Sequence, residues 1–438
     1  MPLRSRLSRW AIPLVVLALG GGGVLLFWPD GADRQGTGID PATFAAMLDF
    51  NADAFTAAEG DWDFVFPRDQ APHLDHRGDV WDLSGQLVDS ERRRYGLRLT
   101  FLRIGLADPA QRRTSALAAD SVLLARFALA PEEGPAALSA QRSSRAAAGL
   151  AGAQVHPFRL WLEDWSLAQG EGDDLLLQAG FDDLTLALRL MPQKSVVTEA
   201  QAGLLANARG GGGSAAQGPG FHFYLQPRLA VEGRLLRVGR TVAKGDRNAT
   251  ADLGSASGPL SGLSQASTTP SDAIDVTGTA WLEHAWGSVS GGLIGQQGQL
   301  TMNRFSLQLD DDTELFCVQL RRRSGGGTPV PTCVAIAEDG GTRLFPRREL
   351  TLEPRSDGIW FSPDGGARYP LRWRLVLPAL GLDVAIDPLL AEQELEPGAA
   401  VAERTWSGVV TVSGSRDGDR VTGSGRMDLS GYGTDLGT

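Results

Sequence analysis

Along most of the chain, apolar residues recur at every second position. Tyr95, Leu97, Leu99 and Phe101 alternate with Gly96, Arg98 and Thr100, and the same period returns in Leu184 to Leu190, Phe305 to Leu309, Trp373 to Leu377, Leu382 to Ile386 and Met427 to Leu429. Successive side chains of an extended chain point to opposite faces, so this period predicts half-buried strands. Gly, Asp and Pro turns separate them and long helical patterns are rare, which favours antiparallel barrels or sandwiches over a parallel sheet. One modest helix is expected over Pro41 to Ala58, where Phe44, Met47, Leu48 and Phe55 fall at helical spacing. The Ala-rich stretch Ala116 to Gly152 suggests a second, short helix over a barrel mouth. Ala206 to Gly220 and Ala243 to Asp272 carry almost no large apolar side chains and read as exposed insertions.

The first thirty residues follow a different pattern. Arg4, Arg6 and Arg9 precede an uncharged stretch from Trp10 to Trp28, and Asp30 and Asp33 follow it. Such a stretch spans a hydrocarbon core of about 30 Å as a helix, a Trp at each end suits the interfaces, and the basic flank stays cytoplasmic. Residues 1–29 are therefore expected to anchor the chain in the inner membrane, with the body in the periplasm. The competing reading is a cleaved signal peptide that leaves a soluble periplasmic protein. A signal peptide would have a shorter apolar core followed by small-x-small residues, whereas the Gly20 to Gly23 run lies within the span. No Cys follows the stretch to carry a lipid anchor. Residues 30–60 then form a linker and the short helix, and the length of 438 residues suits two further domains, placed at 61–290 and 291–438.

Composition agrees with the strands: 55 Gly, 24 Pro and only 21% charged residues suit a chain of many turns. The net charge of -11 argues against a nucleic-acid partner, because phosphate binding needs clustered Lys and Arg. Arg321, Arg322 and Arg323 form the one compact basic run and read as the solvated end of a hairpin. That hairpin, turning near Gly325, would set Cys317 opposite Cys333; a cross-strand disulfide is expected in an oxidising compartment, with two buried free thiols as the alternative. His73 and His76, with Asp69, Asp75 and Asp79 nearby, could pass for a metal cluster, but the local sequence reads as loop and no metal is expected. Asp310 to Asp312 reads as a turn. No nucleophile elbow, phosphate loop or dinucleotide fingerprint is present, so no cofactor is expected.

Several segments carry a resemblance. Phe66-Pro67-Arg68-Asp69-Gln70-Ala71-Pro72-His73, followed by Asp79-Val80-Trp81-Asp82-Leu83-Ser84-Gly85-Gln86-Leu87, is similar to the opening of the carotenoid 1,2-hydratase family, which includes AttH-like proteins. That opening reads F-P-x-D-H-G-x-H and then E-W-W-Y-x-T-G-x-L. Leu99-Thr100-Phe101-Leu102-Arg103 resembles Q-x-T-F-F-R, Ala280 to Gly287 resembles A-W-M-D-H-E-W, and Phe305 to Asp311 matches F-x-L-Q-L-D-D. Tyr369-Pro370, Trp373, Gln393-Glu394-Leu395 and Trp406 continue the likeness, in the family's order, over most of the chain.

The resemblance implies two consecutive lipocalin-like β domains with an apolar cavity between or inside them, suited to a lipophilic molecule. Family activities include adding water to a terminal double bond of an acyclic carotenoid, and other members are exported and linked to transporter-like membrane proteins. The departures fall at polar positions. Ala285 replaces the Glu of D-H-E-W and Glu283 its Asp; Met302-Asn303-Arg304 replaces W-D-W; Asp82 stands for Tyr, and Arg426 for the late Tyr. An Asn303 amide has no proton acidic enough to protonate an alkene.

Glu283 and His284 are the catalytic candidates, although neighbours on a strand face opposite sides, so only one can point inward. Trp81, Tyr224, Trp281, Trp286 and Asn303 are the candidate ligand-binding residues, and the Trp side chains are as readily barrel core. Three functions follow. The leading one is a periplasmic protein that binds a lipid or isoprenoid, with an ABC-type transporter as partner. The second is a hydro-lyase of the carotenoid hydratase type. The third is a structural envelope protein without a ligand, expected if side chains fill the barrels.

Overall fold

Strands that bury alternate residues need a second surface to cover them, and a sheet that curls onto itself supplies one. The computed structural model describes residues 54–58, 61–108, 115, 118–133, 137–182, 184–198, 221–237, 273–287, 300–323, 327–363, 366–395 and 404–433. Within them the alternating segments form two near-barrel antiparallel sheets, and every strand pair is antiparallel.

The first sheet holds β1 (Gly78–Asp89), β2 (Arg94–Gly105), β3 (Ser121–Pro131), β4 (Leu138–Arg145), β5 (Ala151–Gln154), β6 (Arg159–Leu162), β7 (Trp165–Gln169), β8 (Leu175–Phe181), β9 (Leu184–Pro192), β10 (Phe221–Arg237) and β11 (Ala273–Gly287). Their spatial order is β4-β3-β2-β1-β11-β10-β9-β8-β7-β6-β5. The second holds β12 (Leu300–Leu309), β13 (Glu314–Arg322), β14 (Val330–Ile336), β15 (Thr342–Phe345) and β16 (Thr351–Pro354), and then β19 (Trp373–Leu377), β20 (Leu382–Pro388), β21 (Glu394–Leu395), β22 (Thr405–Arg416) and β23 (Asp419–Ser430). Between these, β17 (Ile359–Phe361) and β18 (Arg368–Pro370) form a separate hairpin. In both sheets the first strand pairs with the second and also with the last, β1 with β2 and β11, and β12 with β13 and β23.

Each sheet encloses its own core. Leu83, Leu99, Phe127, Trp165, Leu186 and Leu282 fill the first, and Phe305, Leu315, Tyr369, Trp373, Trp406 and Met427 the second. A third cluster joins the two: Phe223, Leu225 and Trp281 of the first sheet, with Val197 bridged to Leu225, meet Phe316, Val334 and Ile336 of the second. Gly96 of β2 lies where a Cβ would stand 2.7 Å from the Val409 side chain of β22, so only the missing side chain allows this approach of the two sheets.

Several sequence expectations change here. Ala116 to Gly152 is not helical where described: β3 and β4 run through it, because Leu123, Ala125, Phe127 and Leu129 alternate into the first core and the small alanines between them were misleading. Of the expected Pro41 to Ala58 helix only the last residues are described, and there Thr56 forms an extended bridge with His76. Of the basic run at the hairpin end, Arg322 is exposed and Arg321 is half-buried, its guanidinium 3.6 Å from the Tyr432 ring centroid. The expected anchor and both low-complexity insertions lie outside the described residues. Among those described, no helix is long and apolar enough to cross a membrane.

Candidate functional site

On β1 and β11 the register sets Asp79 opposite Trp286, Trp81 opposite His284 and Asp82 opposite Glu283. Asp79, Trp81, His284 and Trp286 therefore point into the first barrel, while Asp82, Glu283 and Trp281 point out of it towards the second. The period of two thus builds two polar groups on opposite faces of the same strands.

The outer group is a buried ion network between the sheets. Asp82 accepts from Arg98 at 3.1 and 3.2 Å, from Thr100 at 2.9 Å and from Arg426 at 2.6 Å. Arg304 donates to Glu283 at 2.6 Å and to Asp428 at 2.8 and 3.0 Å, and Ser306 donates to Glu283 at 3.1 Å. Arg426 also binds Asp428. Burial alone would raise the Asp82 and Asp428 carboxyls, but Arg426 first, with Arg98 and Arg304, holds both far below the usual carboxylate range. Three carboxylates meet three guanidinium groups, and the group is neutral as a whole. A second clamp lies nearby, where Lys194 and Arg228 of the first domain both bind the fully buried Glu314 of β13.

The inner group lies at one end of the first barrel, beneath the segment 61–77. Four of the five histidines gather there: His73, His76, His222 and His284. The His73 ring stacks on Trp286 with centroids 3.7 Å apart, and His284 stacks on Trp81 at 4.3 Å. His73 Nδ1 lies 3.3 Å from Asp79 Oδ1 and its Nε2 3.3 Å from Asp69 Oδ1. Arg103 takes the other Asp79 oxygen at 2.6 Å through Nε and donates to the carbonyls of His73 and His76. Burial opposes charge on His73, but the carboxylates at its two nitrogens raise it above its ordinary value. Burial wins at His222 and His284, and lowers both to about 4. Burial pushes the Tyr224 hydroxyl, beside His284, up out of any working range.

Asp69 organises this end of the barrel. It accepts from the Val65 amide at 2.7 Å, from Arg68 at 2.9 Å and from Trp62 at 3.2 Å, and its carbonyl faces His284 Nδ1 at 3.1 Å.

Among the described residues, the free space inside the first barrel and between the two sheets is small. Inside the first, beside Trp81, Phe158 and Tyr224, the cavity is about 10 Å³, and the one between the sheets near Arg98 and Gln393 is about 70 Å³. An apolar cavity inside the first barrel, or one of ligand size at that groove between the sheets, is therefore not found: aromatic and aliphatic side chains occupy the barrel, and the ion network borders the groove. The larger space is a groove of about 390 Å³ at the end of the first barrel beside Arg103. Its wall is mostly Ala and Gly, between Phe55, Leu74 and Trp161, and the exposed Leu150 sits in the same loop.

The candidates from sequence separate accordingly. Trp81, Tyr224, His284 and Trp286 come together in the inner group. Glu283 joins the outer network, and Trp281 packs on Phe316 in the contact between sheets. Asn303 lies inside the second barrel, where its amide donates to Gln319 and Tyr432 at 3.1 and 3.0 Å; its neighbour Arg304 is the residue that reaches Glu283. Cys317 and Cys333 face each other on β13 and β14 and are disulfide-bonded. Arg103, His222 and Asp428 were not singled out from sequence, and Asp69 and Asp79 only as neighbours of a histidine pair for which no metal was expected. The alternation around Asp79 and Arg103 could have found two of them, since each is a charge at an inward position.

The AttH-like family model matches residues 57–252 and again 255–432. No curated protein sequence matches the chain. Among solved structures, a candidate AttH of Nitrosomonas europaea is 24% identical with a TM-score of 0.63, covering 86% of this chain and 100% of its own. Kievitone hydratase of Nectria haematococca is 13% identical with a TM-score of 0.53, covering 86% and 95%. At these identities the likeness is one of fold.

Proposed function

Because the chain belongs to the AttH-like family, with its two lipocalin-like domains, we propose that it is a binding protein that takes a small lipophilic molecule in the groove at the end of the first barrel. The observation that carries this reading is the groove itself. Its volume of about 390 Å³ falls within the range of ligand sites, and small side chains wall it between three large apolar ones. The occupant would be a short acyl or isoprenoid chain rather than a whole carotenoid. The apolar stretch Trp10 to Trp28 would hold the groove at the periplasmic face of the inner membrane, where such a molecule could be passed to or from a transporter.

A hydratase reading draws on the similarity to kievitone hydratase. Protonating an alkene needs an acid that still carries its proton. Asp69, Asp79, Asp82 and Asp428 are all held below the usual carboxylate range, and Glu283 accepts from Arg304 and Ser306. Burial raises the Glu314 carboxyl, but Lys194 and Arg228 clamp it and it does not line the groove, so binding without hydration is the reading we favour. The test is a titration of the whole protein with a panel of fatty acids and short isoprenoid alcohols, followed by Trp fluorescence. Saturable quenching with no hydrated product by mass spectrometry is expected. Absence of binding across the panel would sink the reading, and accumulation of a hydrated isoprenoid would favour the hydratase.

A further inference from the structure

We infer that His73, Asp79 and His284 form a binding site for a divalent transition-metal ion, zinc being the ion that best fits the donors. The inference is independent of what the groove binds. Among the described residues, these three bring one ligating atom each to within 4.8 Å of one another. His284 is completely buried, its Nε2 has no hydrogen-bond partner, and that atom is aimed at Asp79 Oδ1 from 3.5 Å. A lone pair pointed at a carboxylate is unfavourable unless a cation lies between them.

The distances also suit an ion bridging the three groups. Here the nitrogen-to-oxygen separations are 3.3 Å for His73 and 3.5 Å for His284. Ligands about 2.0–2.1 Å from a tetrahedral zinc stand about 3.3–3.4 Å apart, so two edges of the polyhedron are already close to length. The third, between the two histidines, is within 4.8 Å.

The atoms behind the ligands are arranged as metal-bound groups require. A ligating histidine usually donates its other N–H to a carboxylate or a backbone carbonyl, which fixes its tautomer. The His73 Nε2 faces Asp69 Oδ1 at 3.3 Å, and the His284 Nδ1 faces the Asp69 carbonyl at 3.1 Å. Asp69 therefore orients both rings, one through its side chain and one through its backbone. Arg103 occupies Asp79 Oδ2, and Oδ1, which also accepts from the His73 amide at 2.9 Å, is left turned towards the histidines. Stacking on Trp286 and Trp81 fixes the planes of the two rings. Two imidazoles and one carboxylate leave a fourth position for water or a ligand donor, the pattern of an open zinc site.

The experiment measures zinc content and affinity on the full chain, stripped with a chelator and titrated with zinc against a competing indicator. One zinc per chain is expected, and cobalt in its place should give the intense visible absorption of a four-coordinate site. His284→Ala and His73→Ala should abolish stoichiometric binding. Asp69→Asn, which keeps an acceptor oxygen and the carbonyl behind His284 but removes the charge behind His73, should weaken it about 10- to 100-fold. His156→Gln, at the exposed histidine outside the cluster, should leave it unchanged. The inference is overturned by a stripped wild-type protein that takes up no zinc, by a weak six-coordinate cobalt spectrum, or by folded His73 and His284 variants that bind as before. Imidazole NMR signals showing a protonated His73 that zinc does not displace would likewise overturn it, and would assign the gap to a proton.

Discussion

Asp82 and Arg426 are 344 residues apart in sequence, and their side chains meet at 2.6 Å. Asp82 leaves the outer face of the first barrel and Arg426 that of the second, so the pair couples the two sheets. Around it stand Arg98, Arg304, Glu283 and Asp428, and each charge has an opposite partner. Desolvating such a network costs about as much as its attractions return. A shift of one sheet against the other would leave a buried charge alone.

Removing one member should therefore be costly. Arg304→Ala leaves Glu283 with Ser306 alone and takes one guanidinium from Asp428, and should destabilise the protein by about 3–5 kcal/mol. Arg374→Ala breaks an exposed pair with Asp383 and should cost less than about 1 kcal/mol. Urea unfolding of both variants checks the contrast. Equal losses would show that the network is not the coupling element.

The pH dependence follows from the depressed groups. Asp82 and Asp428 have folded pKa values below their unfolded ones, so their contribution is present above about pH 4 and is lost as pH falls below it. His222 is neutral in the fold with a pKa of about 4, against about 6.5 unfolded. The unfolded chain therefore binds a proton first, and stability also falls as pH drops from about 6.5 to 4. Unfolding midpoints measured from about pH 6 to 3 should decline throughout, and His222→Gln should flatten the upper part of the decline. A midpoint that rises on acidification over that range contradicts the assignment.

The disulfide closes a loop with a sequence separation of 16 between Cys317 and Cys333, at the heart of the second core. Chain-entropy arguments give about 3 kcal/mol for a loop of this size. Cys317→Ser paired with Cys333→Ser should lower stability by about that amount, as calorimetry can measure. No change on reduction of the wild type would show that the bond adds nothing.

Much of the architecture was legible in the sequence. The alternation in Leu184 to Leu190 and in Leu382 to Ile386 became β9 and β20 with the expected faces buried. Ala116 to Gly152 misled because alanine is small enough for a strand between large residues and also favours helices. The same period implied that Glu283 and His284 face apart, but it could not say that the outer face meets a second barrel. The departures at Asp82, Arg304 and Arg426 were visible one by one. That they compensate one another was not, because the positions lie 222 and 344 residues apart and only the packing of the two sheets unites them. The groove was hidden for a related reason, since it depends on where small residues of separate loops come together.

The groove is the centre of this account, and a variant that fills it is the most direct test. Ala118→Phe adds a ring to the groove wall from a segment outside the strands. Binding of a fluorescent fatty acid should be saturable in the wild type and at least about tenfold weaker in Ala118→Phe, a loss of about 1.4 kcal/mol, at unchanged unfolding midpoint. Equal affinity in the two proteins would place the ligand elsewhere and contradict the assignment.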